Sequence, residues 1–307
     1  MRLGIVGAAG GVGSATAFAC VLTGAADELV LVDRRAGPLR SHVLDLEQLR
    51  GPLGPFAVSH ASLEDAAEAD VLVVAASAPH RDGLSRMDYL DANARIVDEI
   101  ASALERAHER PGTIVVATNP VDVLCTLLQQ RLGYDRGRIV GYTMNDSLRL
   151  RFGVAEALAV APGRVEAWSL GEHGPHSVPL LDRVLVDGVR VALTDEQQAA
   201  SLRYARGWYD RWQRCGPGRT STWTSGYGLA SLVAMLRDGS SGAYAASVAL
   251  AGEYGVEGVS LTVPVRIEGG CAEPLDWSLT DAQLDGFAVA AEAIAAASAS
   301  ASSVVAA

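Results

Sequence analysis

The stretch Gly171-Glu172-His173-Gly174 sets an imidazole between glycines, directly after an apolar run. Histidine is the side chain whose ordinary pKa suits it to take and return a proton near neutral pH. Asp146 and Arg149 stand three apart in Asn145-Asp146-Ser147-Leu148-Arg149, so on a helix they share a face. A carboxylate there can hold an imidazole and stabilise its protonated form. A guanidinium there can fork onto a carboxylate ligand. The plainer alternatives are a turn histidine and a solvated intrahelical ion pair. Two further segments carry polar groups. Ala78-Pro79-His80-Arg81-Asp82-Gly83-Leu84-Ser85-Arg86 is a charged loop with a glycine, able to close as a lid or simply to sit in water. Asn119, in Thr118-Asn119-Pro120, ends an apolar run; its amide can bond a ligand or shape the turn before the proline.

A second constellation lies at the start of the chain. Gly7-Ala8-Ala9-Gly10-Gly11-Val12-Gly13-Ser14 follows a strand-like run and opens a helical one. The first glycine permits a tight turn, the next lets backbone approach a pyrophosphate, and the third lets helix and strand pack closely. The phosphates then face the free N–H groups of a helix N-terminus. Asp33 ends the second strand-like run, twenty residues after Gly13. A carboxylate there accepts bonds from ribose hydroxyls and repels a 2′-phosphate, which favours NAD over NADP. The adjacent Arg34 and Arg35 pull the other way, since an arginine can accommodate that phosphate. The candidate cofactor residues are Gly7, Gly10, Gly11, Val12, Gly13, Asp33, Ala76 and Asn119. A glycine-rich turn without a ligand is the alternative.

These residues need a scaffold, and the pattern of the chain supplies one. β-Branched, almost wholly apolar runs at 3–7, 28–33, 71–75, 113–117 and 138–141 alternate with helical stretches near 11–23, 39–49, 87–109 and 121–132. Runs of that kind suit a parallel sheet covered on both faces. The alternation predicts an α/β, Rossmann-type doubly wound parallel sheet over residues 1–142. Beyond it, a helix at 146–158, short strands near 165–170, 184–186 and 260–265, and helices near 194–214, 227–237 and 280–297 predict an α+β substrate domain over 143–307. No Gly- or Pro-rich linker separates the halves, so a tight interface is expected. The Ala/Ser-rich tail after Ile294 reads as a fraying helix end or disorder.

Of the 307 residues 49% are hydrophobic, enough for a packed core, and the net charge is −11. That balance argues against nucleic-acid and anionic-membrane partners, both of which want a basic face. Cys20, Cys125, Cys215 and Cys271 show no metal spacing and read as reduced thiols, and no metal is expected. No secretory leader is read, and no apolar run is expected to reach the ~18–20 residues of a membrane span. The expected location is cytoplasmic.

Taken together, the order of motifs resembles the lactate/malate dehydrogenase family along essentially the whole chain. The glycine turn and strand-end Asp33 are followed by the Pro79-to-Arg86 loop, Thr118-Asn119-Pro120-Val121-Asp122, Asp146-Ser147-Leu148-Arg149, Gly171-Glu172-His173-Gly174 and Ser260-Leu261-Thr262-Val263-Pro264. The resemblance implies an NAD-dependent oxidoreductase of a small anionic 2-hydroxy or 2-keto acid, more malate- than lactate-like, acting as a homodimer or homotetramer. It implies that His173 accepts the proton with Asp146 as its partner, that Arg149 binds the substrate carboxylate, that Arg86 polarises the carbonyl, and that Asn119 is the active-site asparagine. Three positions depart from the pattern. His80 stands where malate dehydrogenases carry an arginine for the second carboxylate and lactate dehydrogenases a glutamine, leaving His80 or Arg81 to read that end of the substrate. Gly174-Pro175-His176 replaces the usual Gly-Asp. Asn145 stands where an apolar residue is common. The same reaction on a lactate-like or other keto acid is therefore a second reading, and a non-catalytic NAD-binding protein a third.

Overall fold

The structure is a computed structural model and describes residues 1–79 and 89–306. The first half runs β1 (Arg2–Val6), α1 (Gly11–Thr23), β2 (Glu28–Val32), α2 (Ala36–Gln48), α3 (Arg50–Leu53), β3 (Ala57–His60), α4 (Leu63–Ala66), β4 (Val71–Val74), α5 (Leu90–Arg106), β5 (Thr113–Val116), α6 (Val121–Leu132) and β6 (Ile139–Tyr142). The second half runs α7 (Met144–Leu158), β7 (Val165–Glu166), β8 (Ser169–Gly171), β9 (Ser177–Pro179), β10 (Leu185–Val186), β11 (Val189–Arg190), α8 (Asp195–Arg206), α9 (Trp208–Gln213), α10 (Trp223–Asp238), β12 (Tyr244–Ala251), β13 (Glu257–Glu268), β14 (Cys271–Pro274) and α11 (Asp281–Ala306).

Strands β3, β2, β1, β4, β5 and β6 lie in that spatial order, all pairs parallel. Every residue of β4, β5 and β6 is buried, as their unbroken apolar runs demand of strands covered on both faces. The order of connection reverses between β1 and β4, which opens a crevice at the carboxyl ends of those strands. This is the Rossmann-type α/β arrangement expected from the alternation. Helices α1 and α6 begin and end where the sequence placed them; each closes on a left-handed glycine, Gly24 and Gly133.

The second half departs from expectation in three ways. The sheet does not stop at β6: β12 pairs antiparallel with β6, β13 with β12, then β8 and β9 follow, so one 11-stranded sheet runs through both halves. Strand β12 was not expected, because Tyr-Ala-Ala-Ser-Val-Ala-Leu-Ala has little β-branching, and burial rather than propensity holds it. The single helix read at 194–214 is broken at Gly207 into α8 and α9. The tail is helical to Ala306, and over Asp281–Val305 it is, by length and composition, long and apolar enough to cross a membrane, contrary to the sequence reading. Much of that apolarity is alanine. Phe287, Ala290, Ile294, Ser298 and Ala301 form a buried stripe, and α11 packs on α5, α6 and β13.

Candidate active site

The glycine turn is built by close approach. Gly7 has φ +86°, and a Cβ there would fall 2.5 Å from the Ala76 nitrogen, where the ends of β1 and β4 meet. A Cβ on Gly13 would fall 2.3 Å from the Gly7 carbonyl oxygen, so only glycine lets α1 settle on the turn. Gly10 caps α1 with extended backbone and no side-chain cap, which leaves the first-turn N–H groups for a ligand. An uncapped helix N-terminus with room for backbone approach fits a pyrophosphate, and hence the cofactor expected from the sequence.

Asp33 lies just beyond β2. Its carboxylate accepts the Ala9 N–H at 3.0 Å, the Arg35 N–H at 2.9 Å and Arg35 Nε at 3.2 Å. Burial pushes its pKa up, but the bonds from Arg35 and Ala9 and the guanidinium charge outweigh that, holding it below the usual carboxylate value. Asp33 is therefore ionised at neutral pH. Arg34 is drawn away to Glu99.

The chemistry-bearing side chains come from two elements. Asp146 sits in the first turn of α7, where a carboxylate suits the helix dipole, and Arg149 follows one turn on. The Ser147 hydroxyl accepts the Ser169 N–H at 3.0 Å and so ties α7 to β8. His173 follows β8, after Gly171 with φ +76°. Asp146 bridges the two: Oδ2 is 2.6 Å from His173 Nδ1, and Oδ1 is 2.9 Å from Arg149 Nη1. The imidazole is only 5% exposed. Arg149 lies over the Trp208 ring, 4.3 Å from its centroid, so that one face of the guanidinium is covered by α9.

A cavity of about 1040 Å³ joins the two constellations. It is lined by Gly7, Gly10, Gly11, Val12, Asp33 and Ala76 at one end, and by Asn119, Arg149 and His173. Gly13 supports the turn from beneath and Asp146 backs His173, and neither lines the space. His80, Arg81 and Arg86 lie outside the described residues. The His176 N–H is bonded to Glu172 Oε2 at 3.0 Å, and its ring stands 4.0 Å from the same oxygen.

Several supporting residues were not singled out from sequence. Asn93, on α5, accepts the Ala78 N–H at 2.7 Å and donates to the Asn119 carbonyl at 2.6 Å, joining the segments that follow β4 and β5. Asp122, in the first turn of α6, accepts the His173 N–H at 2.6 Å. Its buried carboxyl is pushed up to about 7 by desolvation, with the Glu172 and Asp146 carboxylates adding to the rise and the His173 N–H bond and the nearby Ser247 hydroxyl opposing it. Trp208 was read only as part of a long helix. Asp122 does fall within the Asn-Pro-Val-Asp run, but its partner is 51 residues away, and no local spacing announces that pairing.

Comparison with known proteins agrees with this fold. A family model described as lactate/malate dehydrogenase, NAD binding domain, matches residues 1–141. The chain is 33% identical over 304 residues to the L-lactate dehydrogenase of Mesoplasma florum, covering 93% of this chain and 92% of that one. It is 29% identical over 292 residues to the malate dehydrogenase of Nitratiruptor sp., covering 93% and 91% respectively. The crystal structure of malate dehydrogenase from Plasmodium falciparum matches with TM-score 0.91 over 99% of each chain at 20% identity, a likeness of fold. The chain belongs to the lactate/malate dehydrogenase family of NAD-dependent 2-hydroxy acid oxidoreductases.

Proposed function

We propose that this cavity interconverts a small 2-hydroxy acid and its 2-keto acid, malate/oxaloacetate-like, through His173, Asp146 and Arg149. The observation that carries the reading is the single Asp146 carboxylate that touches both the imidazole and the guanidinium at the wall of the cofactor cleft. Bound NAD supplies or takes the hydride at the substrate's C2. The protein's work is orientation and proton transfer. Arg149 forks onto the C1 carboxylate. His173 gives a proton to the C2 oxygen in reduction and takes it back in oxidation. Asp146 fixes the ring through Nδ1, leaving Nε2 for the substrate, and stabilises the imidazolium. Asn119 lines the cavity, and its buried amide oxygen has no hydrogen-bond partner among the described residues, which suits it to a donor on the substrate or on the nicotinamide amide. Arg86, from the loop outside the described residues, is assigned to the carbonyl oxygen by resemblance, and His80 or Arg81 to the far end of the substrate.

Residues 1–142 hold the cofactor in this reading and 143–307 the catalytic set. His173→Asn should reduce turnover at least a hundredfold while NADH still binds, as followed by its fluorescence. Ordinary turnover in that variant would remove His173 from its role. A lactate-like or other keto acid is the second reading, supported by the Mesoplasma florum relative. An NADH-oxidation screen over 2-keto acids differing at C3 separates the two, and binding of NADH with reduction of none would favour a non-catalytic protein. We further propose a homodimer, by symmetric pairing of the face formed where α1 and α10 pack side by side, Gly226 against Ala15, with Phe18, Leu22, Trp223 and Tyr227 exposed. A cytoplasmic location is proposed on the same family reading.

A further inference from the structure

Three buried polar side chains in the cavity wall are unused by the chemistry above: Tyr142 at the end of β6, Asn145 in the first turn of α7, and Ser225 on α10. They are joined in a definite direction. The Tyr142 hydroxyl is 2.9 Å from Asn145 Oδ1, and Asn145 Nδ2 is 3.0 Å from Ser225 Oγ. The phenol has one proton to give. Its other acceptor is the Thr224 carbonyl at 3.4 Å, a poor contact by comparison, so the proton goes to the amide oxygen. Burial pushes the phenol's pKa up, which keeps that proton in place. The slot is made for the hydroxyl: a Cβ on Gly228 would fall 1.9 Å from it.

With its oxygen committed to Tyr142, the Asn145 amide must donate to Ser225. Ser225 Oγ then accepts, and its own proton has to be given elsewhere. Among the described residues no protein oxygen accepts it. Ser225 lines the cavity, one turn along α10 from Thr222, whose hydroxyl lies 3.1 Å from where a Gly11 Cβ would be. Its partner Asn145 immediately precedes Asp146. The serine thus stands on the side of the cavity that α7 equips, inward of the glycine turn.

We infer that Tyr142, Asn145 and Ser225 form a relay that presents one hydroxyl proton to the substrate and selects 2-keto acids bearing an oxygen acceptor on C3. The inference rests on the proposed dehydrogenase reading and deepens its substrate side. With C1 on Arg149 and C2 at His173, C3 is the remaining part of a small keto acid, and Ser225 is the donor set to read it. Tyr142 and Asn145 are positioning residues, acting through the serine. An apolar residue at 145 would leave the serine proton free to turn away.

The test is a pair of near-isosteres, hydroxypyruvate with a C3 hydroxyl and 2-ketobutyrate with a methyl in its place, with oxaloacetate as the charged acceptor. In Ser225→Ala the kcat/KM ratio of hydroxypyruvate to 2-ketobutyrate should fall about fivefold, and that of oxaloacetate to 2-ketobutyrate tenfold or more. Tyr142→Phe should lower the same ratios, since the freed Asn145 oxygen can then turn and draw the serine proton to itself. A ratio unchanged in both variants, with every substrate slowed alike or none, overturns the inference. A wild-type enzyme that reduces none of the three would instead sink the dehydrogenase reading on which it stands.

Discussion

At the scale of single residues, Asp122 ties the segment after β8 to the first half of the chain, since its α6 carboxyl accepts the His173 N–H. Its folded pKa of about 7 against an ordinary 3.8 has a thermodynamic consequence. Below the ordinary value both states carry the proton and burial costs no charge. As pH rises from there towards 7 the unfolded chain releases its proton while the folded chain keeps it, so stability falls; above about 7 the loss is complete. Asparagine keeps an acceptor for the His173 N–H and removes the titration. The melting temperature of Asp122→Asn relative to wild type should therefore rise between about pH 5 and pH 8, measured by calorimetry. A difference that stays flat across that range would place Asp122 outside the titration. The catalytic candidates themselves were legible in the sequence because each motif is local: an i, i+3 pair, and a histidine between glycines. What holds them was not. Asn93 reaches Asn119 across 26 residues, and Asn145 reaches Ser225 across 80, so neither pairing leaves a periodic trace.

At the scale of elements, the glycine turn and α1 form one device, and their fit is steric before it is electrostatic. The Gly7 carbonyl oxygen that a Gly13 side chain would strike belongs to the main chain and has no rotamer by which to yield. Gly13→Ala should lower the melting temperature by several degrees and weaken NADH binding at least tenfold, as read by thermal denaturation and NADH fluorescence. Unchanged affinity would mean that α1 can shift without disturbing the phosphate end of the cleft. The same local sterics made α1 and α6 readable to the residue, since a left-handed glycine stops each. Strand β12 was unreadable for the opposite reason. Its alanines have no strong preference of their own, and only neighbours on either side, β6 and β13, make them a strand. The split of α8 from α9 at Gly207 bears on the cavity wall, because it sets Trp208 under Arg149.

At the scale of the whole molecule, the exposed apolar groups of α1 and α10 set an expectation about assembly. Sedimentation velocity of the wild-type chain should give a dimer, and Tyr227→Glu with Phe18→Glu should shift it towards monomer. A wild-type monomer at tens of micromolar would refute the pairing. Tyr227 and Ser225 are two residues apart on α10, so the proposed assembly face and the cavity wall share a helix. The antiparallel seam in which Ala246 faces Tyr142 and Ser247 faces Gly141 has a last implication, for modular exchange. The two halves of the chain are not cassettes that can be recombined with those of a distant relative at residue 142. A graft would have to bring a strand whose backbone continues the ladder at that edge, or leave a bare central strand searching for any partner.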